Sequence, residues 1–226
     1  MQLYYQDDHV TLYHADNRDV LASVDTSGVD LLLTDPPYGV GWDTDYAQRL
    51  RHSPTSRRRK SWPSLAGDDE PFNPEPWLGF RQVILWGANC YSLPLGRFLV
   101  WDKRFASGKT FFQSDAEVEW MKGGHGVRIY AQVWQGVTRS KKHPTERGPK
   151  GGTPSLHATQ KPVALGVWCI QQARRVQMMF DPYAGSGSFL IAAKSLGIRA
   201  IGCEIEEMYC ETAARRLERT AVETLD

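Results

Sequence analysis

The 226-residue sequence predicts an α/β fold, one domain spanning 1–226 with a mostly parallel sheet and helices on both faces. Three observations predict it. The C-terminal third alternates strand-like and helix-like patterns. Several short runs are apolar at every position, as in strands buried on both faces. A glycine turn joins one of those strands to a helix. The length suits one core of this kind.

Taken in order, HVTLYHAD (9–16) alternates and reads as a strand ending at Asp16. Residues 17–27 read as a helix closed by Ser27-Gly28. VDLLLT (29–34) is a buried strand, and Asp35-Pro36-Pro37-Tyr38 ends it, because two prolines cannot continue a central strand. Residues 39–76 show no periodicity and are rich in Pro, Gly, Ser and Arg; so long a stretch is usually functional or mobile. RQVILWG (81–87), RFLVWDK (97–103) and GVRIYAQVWQG (126–136) are three more strands, and 137–156 is a second basic loop. PVALGVWCIQQAR (162–174) is a helix with Pro at its start. VQMMFDPY (176–183) is a strand, AGSGS (184–188) a turn and FLIAAKSLG (189–197) a helix closed by Gly197. IRAIGCE (198–204) is a strand, and EEMYCETAARRLERT (206–220) is the last helix.

Composition narrows the function classes. Hydrophobic content is 41% and charged content 23%, ordinary for a globular chain. No apolar run approaches the ~18 residues of a membrane span, and MQLYYQDDHV lacks a signal-peptide pattern, so the expected compartment is the cytoplasm. Cys90, Cys169, Cys203 and Cys210 form no C-x-x-C pair; they read as buried thiols, with no metal site and no disulfide framework. Net charge is only +1, yet the cations cluster. RLRHSPTSRRRK (49–60) has no acid and contains Arg57, Arg58, Arg59 and Lys60, and Arg139, Lys141 and Lys142 open a second cluster. Each run reads either as a solvated loop or as a phosphate-binding segment.

Two sites carry chemistry. The first is FDPYAGSGS (180–188) followed by Glu204. Gly185 and Gly187 let the backbone bend and a ligand lie against it. Glu204 ends the next strand, where nucleotide-binding α/β folds place an acid for two ribose hydroxyls. Leu190 stands where a third glycine of G-x-G-x-x-G would be, which favours an adenosine cofactor other than a dinucleotide. The second site is Asp35-Pro36-Pro37-Tyr38. Open α/β sheets bind ligands beyond the carboxyl ends of their strands, so Asp35 is expected in the site. Asp35 and the Pro36 carbonyl can accept both N–H bonds of an aromatic amine, Pro37 stiffens the turn, and Tyr38 offers a ring for stacking.

These motifs resemble the amino-methylating DNA methyltransferases of the permuted beta order, in which D-P-P-Y precedes F-D-P-x-A-G-S-G. Here the pair is TDPPYGVGW (34–42) and FDPYAGSGS (180–188). VTLYHADNRDVL (10–21) resembles that family's opening and HATQKP (157–162) its H-x-T-Q-K-P element. VILWGANCY (83–91) with LVWDK (99–103) is similar to a small phage- or prophage-like branch. The resemblance implies a Rossmann-like, S-adenosylmethionine-dependent methyltransferase fold acting on DNA, often as a homodimer. It implies that Asp35, Pro36, Pro37 and Tyr38 hold the target base. The cofactor would be lined by Asp35, Asp181, Tyr183, Ala184, Gly185, Ser186 and Gly187. Glu204 would take the ribose, Asp16 would meet the adenine, Thr159, Lys161 and Pro162 would lie near the methionine moiety, and His157 and Ile205 would also bind the cofactor. Read without the resemblance, His157 and Lys161 are equally well plain surface residues. Segments 43–76 and 137–156 are the candidate DNA-recognition insertions.

The implied reaction moves a methyl group to adenine N6 after the base is flipped from the duplex. No covalent enzyme intermediate and no metal is required. The rival on the same fold is cytosine N4, for which S-P-P-Y is the commoner tetrapeptide. A catalytically silent DNA-binding regulator is opposed by the intact Asp35 and Tyr38. Glutamine or RNA methyltransferases carry N-P-P-Y after the cofactor motif, and this chain has neither that Asn nor that order.

Overall fold

The computed structural model of the chain describes residues 1–42, 64–104, 114–135, 138–139 and 160–222. Its strands are β1 (Gln2–Gln6), β2 (Val10–His14), β3 (Leu31–Thr34), β4 (Val83–Trp86), β5 (Gly96–Asp102), β6 (Ala116–Ala131), β7 (Trp134–Gln135), β8 (Thr138–Arg139), β9 (Met178–Asp181) and β10 (Arg199–Glu204). Its helices are α1 (Asn17–Ser23), α2 (Val163–Gln172), α3 (Ser188–Ser195) and α4 (Glu207–Glu218). Eight strands form one sheet in the order β1-β2-β10-β9-β3-β4-β6-β5, while β7 and β8 make a small antiparallel pair.

The five central strands β2, β10, β9, β3 and β4 run parallel to one another. Their apolar runs divide cleanly between two faces. Leu31, Leu33, Ile84 and Trp86 pack with α2, α3 and α4; Leu32, Val83, Leu85 and Phe180 pack with Val20 of α1 and with Trp77. Leu31, Leu32 and Leu33 are fully buried, each contributing roughly 1.5–3 kcal/mol through burial. Helices therefore lie on both faces, but unequally. Three cover the first; the second has the seven-residue α1 and an aromatic cover of Phe72, Trp77 and Phe80 from the connection before β4.

The strand expected at 126–136 is only the end of a longer one. β6 begins at Ala116 and borders β5 twice. Its first half pairs in descending register, from Arg97 with Met121 to Asp102 with Ala116. Its second half ascends, from Phe98 with Val127 to Asp102 with Ala131. Gly123, Gly124 and Gly126, all at positive φ, carry the chain around the end of β5. The first half is antiparallel to β4, so its beginning arrives where β3 and β4 end. β1, antiparallel to β2, lay outside the sequence expectation, and α1 ends at Ser23 instead of near Gly28.

Candidate active site

Parallel pairing brings the carboxyl ends of β2, β10, β9 and β3 to one edge. Asp16, Glu204, Asp181 and Asp35 stand at or just beyond those ends. The catalytic and cofactor motifs are far apart in the chain but adjacent in space, because Leu32 pairs with Phe180. A side-chain bond joins them: Thr34 Oγ1 donates to Asp181 Oδ1 at 2.7 Å.

The turn 181–187 is held from several sides. The Tyr183 N–H donates to Asp181 Oδ1 at 3.2 Å, and the Ala184 N–H to the Cys203 carbonyl at 2.9 Å. The Gly185 N–H donates to Glu204 Oε2 at 2.7 Å, while the Glu206 N–H takes Oε1 at 2.9 Å. A carboxylate offers about four lone-pair sites, so Glu204 keeps acceptors for two hydroxyls. Burial raises its carboxyl above the ordinary range, against the backbone N–H groups of Glu206, Gly185 and Ile205. Ser186 is committed internally, its carbonyl and hydroxyl accepting from Arg216 at 2.5 and 3.0 Å. Gly187 caps α3 at φ 77, and an added Cβ would lie 2.9 Å from the Ala213 Cβ of α4. Its lack of a side chain therefore serves helix packing, where the sequence suggested ligand approach. The Tyr183 ring meets Phe72 and Trp77.

Asp181 is the outstanding anomaly. Its Oδ2 is buried with no hydrogen-bond partner, and burial pushes its carboxyl up to about 7. An orphaned buried acceptor beside a glycine turn suits a ligand that brings a donor.

At the catalytic motif, Pro36 is buried, and Tyr38 Oη donates to Asp35 Oδ1 at 2.5 Å. Gly87, at φ 78, makes room for that tyrosine: a Cβ there would collide with its ring. Lys161 is no surface residue. It is buried, forms an ion pair with Asp35 Oδ2, lies 3.1 Å from Glu117 Oε2, and sits over the Trp86 ring at 5.3 Å. Lys103 pairs with the other Glu117 oxygen at 2.8 Å. Burial drives Asp35 toward the neutral acid, with the Lys161 charge opposing it and the overall direction upward. Behind this set, the fully buried Glu119 lies 3.2 Å from Cys169 Sγ, and burial raises its carboxyl well above normal.

Asp68 organises the chain leaving the motif. It is buried, and its carboxylate accepts from the N–H groups of Gly39, Val40 and Trp42 at 2.9, 3.3 and 2.6 Å. Asp16 caps α1 and pairs with Arg18, and Ile205 is half exposed beside Glu204. His157, Thr159, Arg57, Arg58, Arg59, Lys60, Lys141 and Lys142 lie outside the described residues, and Arg139 is placed only as backbone of β8. Cys90 is exposed, against the expectation of four buried thiols. Among the described residues no group of three His, Cys, Asp or Glu side chains is arranged to hold a metal, and no helix is long and apolar enough to cross a membrane.

Sequence reasoning missed Lys103, Glu117, Glu119, Asp68 and Gly87. The alternation in AEVEW (116–120) was a strand signal, but alternate glutamates read as a solvent face until the direction of β6 is known.

The profile of the N6/N4 DNA methylase family matches residues 100–215, just over half of the chain. The chain belongs to that family. The methylase is 24% identical over 263 aligned positions to the type II methyltransferase M2.LlaDCHI of Lactococcus lactis subsp. cremoris, covering 96% of this chain and 93% of the relative. It superposes on PvuII DNA methyltransferase (cytosine-N4-specific) with TM-score 0.56 at 13% identity, covering 100% of this chain and 90% of that one. A putative DNA modification methylase of Thermus thermophilus, solved with S-adenosyl-L-methionine, gives TM-score 0.51 at 18% identity over 92% of this chain and 93% of that one. The methylase uses S-adenosyl-L-methionine to methylate DNA amino groups. The orphaned Asp181 oxygen, the spare Glu204 acceptors and the turn 184–187 fit that cofactor.

Proposed function

We propose that this methylase acts on adenine N6 in DNA, within the cytoplasm of a bacterium or a phage-infected host. The observation that carries the reading is the ionisable Asp35 in the amine-accepting position, partly buried beside Tyr38 at the end of β3. The adenine amino group is a weak nucleophile because its lone pair is delocalised into the ring. A charged acceptor makes the stronger kind of hydrogen bond and returns electron density to the nitrogen. The cofactor, when bound, supplies an electrophilic methyl group. The task left to the protein is alignment: Asp35 and the Pro36 carbonyl orient the amine, Tyr38 stacks on the flipped base, and Asp181 and Glu204 hold the donor. Stacking on Tyr38 offsets part of the unstacking cost, with about 1–3 kcal/mol available per base. Arg57, Arg58, Arg59, Lys60, Arg139, Lys141 and Lys142 are the candidate phosphate contacts.

Mass spectrometry of nucleosides from treated DNA tests the reading, with N6-methyladenine expected. N4-methylcytosine alone would assign the enzyme to the other amino group, a reading that the fold shared with the PvuII enzyme keeps open.

A further inference from the structure

We propose that Glu117 is a positioning residue that draws Lys161 away from Asp35 when the substrate amine arrives, so that Lys161 is a cation shared between two carboxylates. The inference rests on the assignment of Asp35 as the amine acceptor. Asp35 faces a conflict in the structure: Oδ1 takes the Tyr38 hydroxyl and Oδ2 the Lys161 ammonium. An ammonium at contact draws on the charge that must act on the amine. If Lys161 left with no second partner, a buried cation would be stranded, which is strongly unfavourable.

Glu117 removes that obstacle. Its Oε2 is buried and lies 3.1 Å from Lys161 Nζ, with no other hydrogen-bond donor on it. Its Oε1 is anchored by Lys103 at 2.8 Å, so the carboxylate is held in place to receive a second cation. Burial pushes the Glu117 carboxyl up, but the Lys161 and Lys103 charges outweigh this and hold it at about 2, so it is ionised throughout the working range. The surrounding titratable groups are Asp35, Tyr38, Lys103, Glu119 and Cys169, with Tyr91 and Asp181 also facing Asp35. Asp35 and Glu117 against Lys161 and Lys103 form a balanced set, and Glu119, raised by burial, faces Cys169. A small displacement of Lys161 toward Glu117 then frees Asp35 while the buried Lys161 cation keeps a carboxylate partner.

The test is a double-mutant cycle in single-turnover methyl transfer, using the full chain with saturating S-adenosylmethionine and DNA. Glu117→Gln should slow transfer by about tenfold when Lys161 is present and by less than about twofold in a Lys161→Gln background. Its rate–pH profile should also change in a specific sense. Glu117 raises the Asp35 pKa, so the acidic limb should move to lower pH while the plateau falls. Cofactor affinity by calorimetry should stay within about twofold of wild type, since neither effect passes through the donor site. Equal cost of Glu117→Gln in both backgrounds, or an acidic limb displaced upward, overturns the inference. Should Glu117→Gln not fold, Glu117→Asp carries the same cycle and must show the same dependence on Lys161. Failure of the wild-type chain to methylate DNA would instead overturn the proposed function, so the two outcomes are separable.

Discussion

In the proposed role, Asp35 must be shielded from water around the reacting amine yet ionised to accept from it, and burial alone favours the neutral acid. The structure resolves this with a cation within contact, and the direction of the shift shows that burial still dominates in the resting site. Asp35→Asn keeps the shape and removes the charge. It should abolish methyl transfer while S-adenosylmethionine binds within a few fold; retained turnover in a radiolabel assay would refute the amine-acceptor role. Asp181 gives a pH signature. Its carboxyl sits near 7 in the folded chain, against 3.8 ordinarily. A raised carboxyl pKa contributes stability that is present below the unfolded value and lost as pH rises toward 7, so the cofactor-free protein should melt lower at neutral pH than its other groups predict. Cofactor binding has the opposite sign, because the ionised carboxylate is the better partner for a cationic amine. Affinity measured by calorimetry should fall by up to about tenfold per pH unit below 7 and lose that dependence in Asp181→Asn.

Among the elements, the short turns act by excluding side chains. Gly87 follows β4 at φ 78, and the Tyr38 ring occupies the space a Cβ would need. Gly87→Ala should therefore displace Tyr38 and act on chemistry more than on cofactor binding. A misplacement of about 1 Å can cost on the order of a hundredfold in rate. A normal rate in a correctly folded Gly87→Ala chain would show that Tyr38 needs no fixed seat. Strand direction has equal weight. Because β6 enters antiparallel, Glu117 and Glu119 come to the edge where the parallel strands end, beside Asp35 and Lys161. Had β6 run parallel to β4, its beginning would lie at the opposite edge of the sheet.

Across the whole molecule, one edge of the sheet carries both the D-P-P-Y turn and the glycine turn, and the segment leaving the D-P-P-Y turn is tied down by Asp68. Beyond that anchor come the consecutive Arg57, Arg58, Arg59 and Lys60, with no acid among the residues between Lys60 and Asp68. If these cations bind phosphates, changing all four to Gln should weaken DNA binding and flatten its salt dependence. Each lost phosphate contact removes about 0.9 from the slope of log affinity against log salt, up to about three units in all. Cofactor affinity should be unchanged. Identical slopes for wild type and variant would transfer the phosphate contacts to the segment around Arg139, Lys141 and Lys142.

The alternating α/β architecture, the buried central strands and both motifs could be read from the chain before it folded. Each of these is written in neighbouring residues: apolar runs, a glycine turn, a D-P-P-Y stop. The places of Asp35, Asp181 and Glu204 at strand ends were legible because strand ends can be read locally, and such ends are where open sheets bind ligands. The tertiary structure alone decided that Lys161 is buried on Asp35, that Glu117 and Lys103 stand behind it, that Gly87 exists for Tyr38 and Gly187 for Ala213, and that β6 doubles around β5. The reason is sequence distance: the Lys161–Asp35 pair spans 126 positions, and its meaning depends on strand order and direction. Neither is encoded in the periodicity of any one segment; both emerge only when the apolar faces of many strands are buried together.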